Sequence, residues 1–293
     1  MSNPIIHALA NQGHIRLMAI DSTQLVQQAK QAHDLWATSC AALGRTLSIG
    51  ALMGKQLKNK DESILIRIDG SHDIKLLSVR ANAQGDVVGF VSQPHNRQIK
   101  ENIDKLDVGG AIGPGTLSVS RNLGLRDEFT STIHLVSGEI GDDFAMYFTQ
   151  SEQLPSAVSV GVLVDEYENV IAAGALLIQM MPGHSETDVL MAQHVVDHLK
   201  PISQIFKEGM TPKELILNLF DDIEIVQESS AQFNCDCSQE KMRLVLNSIS
   251  ADELNTIKQQ DGMAQVECHY CGSKYIFDEN DLDELIRGKH IND

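Results

Sequence analysis

The chain has 293 residues, 42% of them hydrophobic and 22% charged, an ordinary globular composition with length for about two domains, so disorder, collagen and coiled coil are excluded as descriptions of the whole. Twenty-three Lys and Arg against 40 Asp and Glu leave a formal net charge of -17, which repels a phosphate backbone unless a basic face is locally segregated. The most apolar run, Ile171 to Met181, is broken by Gln179 and falls far short of the roughly 18 to 20 residues that cross a bilayer.

Met1 to Ile20 holds a proline, two histidines and scattered polar residues where a secretory leader has a basic start and an apolar core; the expectation is a cytoplasmic protein with neither membrane nor nucleic acid as partner. From Ser22 to about Lys58 the chain is rich in Ala, Leu, Gln and Met, with Ser22 or Thr23 placed to cap and isolated glycines at Gly44, Gly50 and Gly54. This predicts one long helix or two in series. After the polar turn Asn59-Lys60-Asp61-Glu62, the β-branched run Ile64 to Gly70 is a strand, and Lys75 to Ala83 with Asp86 to Ser92 form a hairpin around Gln84-Gly85. The stretch Gly109 to Gly115 runs into another strand, Thr116 to Ser120, without the helix and Lys-Ser/Thr finish of a phosphate cradle. An inter-strand loop is expected there. Strands follow at Thr130 to Val136, Ser156 to Asp165 and Asn169 to Met180, with a helix from about Asp142 to Ser151. Strands interspersed with helices, without regular βα alternation, predict an α+β domain over residues 1–182.

Beyond Pro182 the pattern turns helical. Glu186 to Leu199 places Val189, Val196 and Leu199 on one face, and Thr211-Pro212-Lys213-Glu214 opens a second helix through Phe220 by cap and first-turn proline. Residues 183–232 are apolar for a connector: Val189, Leu190, Ile202, Ile205, Phe206, Leu215, Ile216, Leu217, Leu219 and Phe220 need a surface to cover them. Residues 233–293 make a third, small unit, of a size that commonly needs a staple such as a metal.

That unit holds four of the five cysteines, Cys235-Asp236-Cys237 and Cys268-His269-Tyr270-Cys271, separated by 30 residues, enough for two short helices. In a reducing compartment two close pairs read as a metal site before they read as disulfides, and four thiolates in tetrahedral geometry are the usual structural Zn2+ set. Gly272 is a common turn residue behind a CxxC knuckle; the CxC spacing is tighter than usual. Two readings stand side by side. In one, zinc merely holds the small unit together. In the other, four thiolates on one divalent cation leave the site at net -2 and oxidisable, so that disulfide formation removes the ligands and the unit unfolds. A bond across CxC needs a bend and is easily reduced, and loss of the unit would expose the apolar segment before it.

The run Tyr147 to Pro155, then Ala172 to Pro182, then the CxC pair, then Cys268-His269-Tyr270-Cys271-Gly272 with Tyr275 and Phe277 behind it, resembles the redox-regulated chaperone family called heat-shock protein 33, collinearly from about Leu47 to Leu285. The resemblance implies an ATP-independent holdase that keeps unfolded or partially folded clients from aggregating under oxidative and heat stress. It implies one Zn2+ per chain on Cys235, Cys237, Cys268 and Cys271 in the reduced, inactive form. It further implies disulfides Cys235–Cys237 and Cys268–Cys271, zinc release, unfolding of a metastable linker over 183–232, and a homodimer as the oxidised active form.

Other features read more plainly. Cys40 lies among Ala, Leu and Trp36 as a small core residue. His194 and His198 have a metal-ligand spacing but lack a third partner, so a solvated helix face is expected. His269 is read as exposed rather than ligating. Glu139, Asp142, Asp143 and Glu152 are read as cap and surface carboxylates, and no nucleophile elbow, zincin, Walker or dinucleotide motif is present, so no enzyme is expected. The alternative function is a zinc-ribbon nucleic-acid or transcription adaptor, opposed by 12 acids against 6 bases from Cys235 onward. A thiol-disulfide oxidoreductase using Cys268 and Cys271 lacks the βαβ context.

Overall fold

In the computed structural model, which describes residues 3–101, 105–124 and 129–290, the chain opens on a hairpin for which periodicity gives no signal: β1 (Asn3–Ala10) and β2 (Ile15–Asp21). Both strands carry apolar residues on two faces, because the sheet is covered on both sides, and alternation is lost. Asn11, Gln12 and Gly13 turn the chain with φ of 47°, 56° and 88°. The predicted helical stretch is two helices in series, α1 (Thr23–His33) and α2 (Ala37–Gly54), broken where Asp34 caps α1 in the left-handed region and Trp36 is extended. All 18 residues of α2 are buried. Its small residues let neighbours approach on every side: a Cβ at Gly44 would meet Val26 and Val162 at 2.7 and 2.8 Å.

An antiparallel meander follows, β3 (Ser63–Gly70), β4 (Leu76–Asn82) and β5 (Asp86–Val91). Asn82 Oδ1 accepts from the backbone N–H groups of Gln84, Gly85 and Asp86, which sets the predicted turn. The glycine-rich stretch is not a plain loop. It forms α3 (Val108–Ile112), capped by the Asp107 carboxylate, which accepts from Gly110 N–H at 3.0 Å. Then come β6 (Gly115–Asn122), β7 (Phe129–His134), α4 (Gly141–Ser151), β8 (Ser156–Val164) and β9 (Val170–Met180). β7 stops at His134, two residues before its expected end. The buried Asp143 carboxylate accepts from the backbone N–H groups of Val136, Ser137, Gly138 and Ile140 and pulls that stretch into the turn before α4.

Beyond Pro182 lie α5 (Glu186–His198), α6 (Ile202–Lys207) and α7 (Pro212–Leu217), then β10 (Glu224–Phe233). β10 is a strand without a sequence signal: of its ten residues Ala231 is the buried one. It nevertheless pairs along β1, and the buried Asn3 side chain donates to Ala231 O at 3.0 Å while accepting from Leu25 N–H at 2.8 Å.

The strand order is β7-β6-β3-β4-β5-β10-β1-β2-β9-β8. Two five-stranded blocks meet where β10 runs parallel to β5 over the pairs Gln232–Asp86 and Phe233–Val87. On one face of the second block Ile5, Met18, Ile20, Ala173, Ala175 and Leu177 join α1 and α2 in the main core. On the other, Ala8, Ile15, Leu17, Ala19, Leu176 and Ile178 pack against Ile202, Ile205, Phe206, Leu215 and Ile216 of α6 and α7. Of the apolar linker residues, Val189, Leu190 and Leu217 stay exposed, and α5 buries Asp188 and Ala192 alone among its residues.

Two compact units result, Met1–Asn234 and Cys235–Asp293, so residues 183–232 belong to the first. The second comprises α8 (Gln239–Leu246), α9 (Ala251–Asp261), β11 (Ala264–Glu267), β12 (Lys274–Phe277) and α10 (Glu279–His290). Among the described residues no helix is long and apolar enough to cross a membrane.

Candidate metal centre

The second cysteine pair sits in the turn between β11 and β12. Cys268 O accepts from Gly272 N–H at 2.8 Å and from Cys271 N–H at 3.3 Å, and Cys268 N–H donates to Ser273 O at 2.9 Å. Gly272 takes φ of 70°, a conformation that L side chains resist. This tight reversal aims both thiols to one side. The first pair lies in non-helical chain just before α8, whose N-cap Ser238 accepts from Lys241 N–H; in extended chain residues i and i+2 share a face. The two predicted short helices, α8 and α9, return the chain from one pair to the other. Leu246, Leu254, Ala264, Phe277, Leu282, Leu285 and Ile286 form the small core beneath them.

All four sulphur atoms lie within 4.8 Å of one another, with Cys235 Sγ 3.8 Å from Cys268 Sγ and Cys237 Sγ 3.4 Å from Cys271 Sγ. A tetrahedron with metal–sulphur bonds of about 2.3 Å has edges of about 3.8 Å, so this donor set fits one ion of that size. Tyr275 Oη donates to Cys237 Sγ at 3.0 Å, and Cys271 Sγ is 3.3 Å from Ser273 Oγ. Desolvation, added to the charge of neighbouring sulphurs, raises the Cys235 and Cys268 thiols. Desolvation also acts on Cys271 as the largest single cause, but hydrogen bonds with Ser273, Cys237 and Cys268 together outweigh it and lower that thiol. Tyr275 and Ser273 carried no spacing signal of their own; they act by contact with the sulphurs.

Among the described residues these four cysteines are the one convergent group of three or more metal-ligating side chains, and His269 is not part of it. Cys40 is buried in the main core, its thiol pushed up to about 12 by desolvation, hence inert. His194 and His198 lie on the exposed side of α5 with ring centroids 4.3 Å apart. The carboxylates read as cap and surface groups are more deeply engaged. Glu139 pairs with Arg45 at 2.8 Å and with Lys100, Glu152 pairs with Arg121, and Asp143 is fully buried. Asp142 is the exception, accepting from Ser137 Oγ at 2.8 Å.

The linker has its own polar anchor, which spacing does not reveal. Asp188 Oδ2 accepts from Ser185 N–H at 2.6 Å and Ser185 Oγ at 2.8 Å, Oδ1 accepts from Asn11 Nδ2, and His14 Nδ1 lies 3.5 Å away. The β1–β2 turn thus holds α5 by its N-terminus.

The family described as Hsp33 protein matches residues 3–278. The chain is 38% identical over 288 residues to the 33 kDa chaperonin of Geobacillus kaustophilus, spanning 97% of this chain and 98% of that one. It is 37% identical over 289 residues to the 33 kDa chaperonin of Desulforamulus reducens, spanning 98% of each. The crystal structure of the 33 kDa chaperonin (heat shock protein 33 homolog) from Thermotoga maritima matches with a TM-score of 0.92 over 100% of both chains at 31% identity.

Proposed function

The chain belongs to the Hsp33 family of chaperones, and on that premise we propose that it is an ATP-independent holdase switched by its C-terminal thiols. The observation that carries this reading is the cover of the second sheet face: α6 and α7 lie on a largely apolar surface in a segment that leads through β10 into the four-cysteine unit. Residues 1–182 are then the client-binding and dimerising core, 183–232 a metastable linker and 233–293 the switch. Client binding goes with the chaperone family; a large apolar surface is what a non-native protein recognises.

Cys235, Cys237, Cys268 and Cys271 are the residues that would hold one Zn2+, which when bound keeps the thiolates ligated and supplies on the order of 10 kcal/mol of folding free energy to so small a unit. A peroxide takes two electrons from each cysteine pair: the O–O bond breaks, two thiolates form one S–S bond, and with two protons from solvent the oxidant leaves as two waters. The nearest sulphurs lie across the two turns, as ligands of a shared ion do. Pairing as Cys235–Cys237 and Cys268–Cys271 follows once the unit loosens, because one and two residues tether these partners. With its switch unfolded, β10 is no longer continued by a folded unit beyond Phe233, its end frays from β5, where it pairs through Gln232 and Phe233 alone, and α6 and α7 leave the sheet face. A reducing cytoplasm sets the resting state, and the oxidised form acts as a homodimer.

The test is paired. Metal release to a chromogenic chelator and suppression of light scattering from a thermally unfolding protein are followed before and after peroxide at elevated temperature, and again after reduction with zinc restored. Release and suppression rise together and both reverse. Release with no gain in suppression leaves a purely structural metal unit and overturns the reading.

A further inference from the structure

The covered sheet face carries a hollow made by two glycines. Gly161 of β8 and Gly174 of β9 are register partners, with Ala172 and Leu176 beside them on the apolar face. Neither has a positive φ, so backbone conformation does not require glycine at either place; space does. A Cβ at Gly161 would stand 2.9 Å from Ser203 Oγ and 3.1 Å from Ile202 Cγ2, both on α6. One at Gly174 would stand 2.1 Å from Phe206 Cε2, besides 2.5 Å from Ile20 O. The Phe206 ring, 7% exposed, is seated there.

Resting on the reading that the linker departs, we propose that this hollow is a binding subsite for an aromatic side chain of an unfolding client, and that Phe206 is the chain's own stand-in for it. The floor is bare backbone, Ala172 and Leu176 flank it along β9, and Asp21, opposite Gly174 on β2, is engaged by the Thr23 N–H and hydroxyl, so the hollow takes a ring by shape and apolar contact. It accepts a ring, since a ring fills it. Ile202, Ile205 and Phe206 sit at i, i+3 and i+4, the pattern by which an amphipathic helix enters an apolar groove, and unfolding proteins offer many such segments. α6 therefore competes with clients for one surface.

The probe is a blocked, labelled peptide of residues 200–210, with a second carrying Phe206→Ala, titrated by fluorescence anisotropy into the full chain. The reduced, zinc-loaded chain binds neither. After peroxide at elevated temperature it binds the Phe peptide at least tenfold more tightly than the Ala peptide, and Gly161→Ala in the chain, which crowds side chains of α6 alone, cuts that binding severalfold. Equal binding of the two peptides, or no effect of Gly161→Ala, overturns the proposal. Opening is read separately by protease cleavage within residues 183–232. A linker that stays protected counts against the thiol switch, and the hollow is then read by the same outcomes in an Ile202→Ala/Phe206→Ala chain, whose α6 has lost two of its anchors.

Discussion

One set of strands, β1, β2, β9 and β8, is covered by helices on both faces, and the two covers are built differently. α2 is buried along its whole length and locked by glycines that admit neighbours on every side. α5 buries two residues, and α6 and α7 are six residues each, too short to hold helical form without the surface beneath them. One cover is part of the core. The other is held by a few side chains, a carboxylate on a turn and, at its C-terminal end, the strand β10 beside β1, and is the less stable of the two.

The largest break in this comparison comes from the metal. Chelation under reducing conditions removes folding free energy on the order of 10 kcal/mol from the small unit, so its helical circular dichroism is lost while the transition of the first unit survives; Cys268→Ser does the same at lower chelator concentration. Unchanged metal content and protease resistance in Cys268→Ser would sink the switch. Next, Leu43→Ala in α2 and Ile216→Ala in α7 each delete a fully buried side chain, at about 2–5 kcal/mol. Leu43→Ala lowers the main melting transition, whereas Ile216→Ala appears as faster hydrogen exchange confined to residues 183–220. If Ile216→Ala lowers the main transition equally, the two covers are one cooperative unit.

Ser185→Ala removes the N-cap of α5 and costs about 1 kcal/mol, seen as faster proteolysis of the linker at neutral pH. The smallest effect is the pH dependence of the same anchor. The Ser185 backbone N–H foremost, then the Ser185 hydroxyl, Asn11 and His14, hold the Asp188 carboxyl below its usual range against desolvation. A depressed folded value means the anchor is complete above the ordinary carboxylate pKa of about 3.9 and fades as pH falls through the folded value. Linker protection measured from pH 6 down to 3 therefore declines at the acid end, and Asp188→Asn flattens that decline.

Much of this was legible in the residues. Cysteine spacing located the donor set, because knuckle turns are local and one glycine marks the reversal. Cap, proline and alternation signals located β3 to β9 and the linker helices α5 and α7, since each reports a hydrogen bond or a face within a few residues, whereas the short α6 (Ile202–Lys207) has no side-chain cap to mark it. β1 and β2 escaped because strands buried on both faces do not alternate. β10 escaped because it is largely exposed, and its pairing with β1 joins residues more than two hundred positions apart, as Asn3 to Ala231 does. The α+β class, the apolar linker and the four-thiol set were determined by local chemistry in the sequence alone. Only the tertiary structure decided that Asp188 is held by the β1–β2 turn and that Phe206 rests on Gly174 while Ile202 and Ser203 rest on Gly161, because space beside a backbone is a property of the neighbours that close around it.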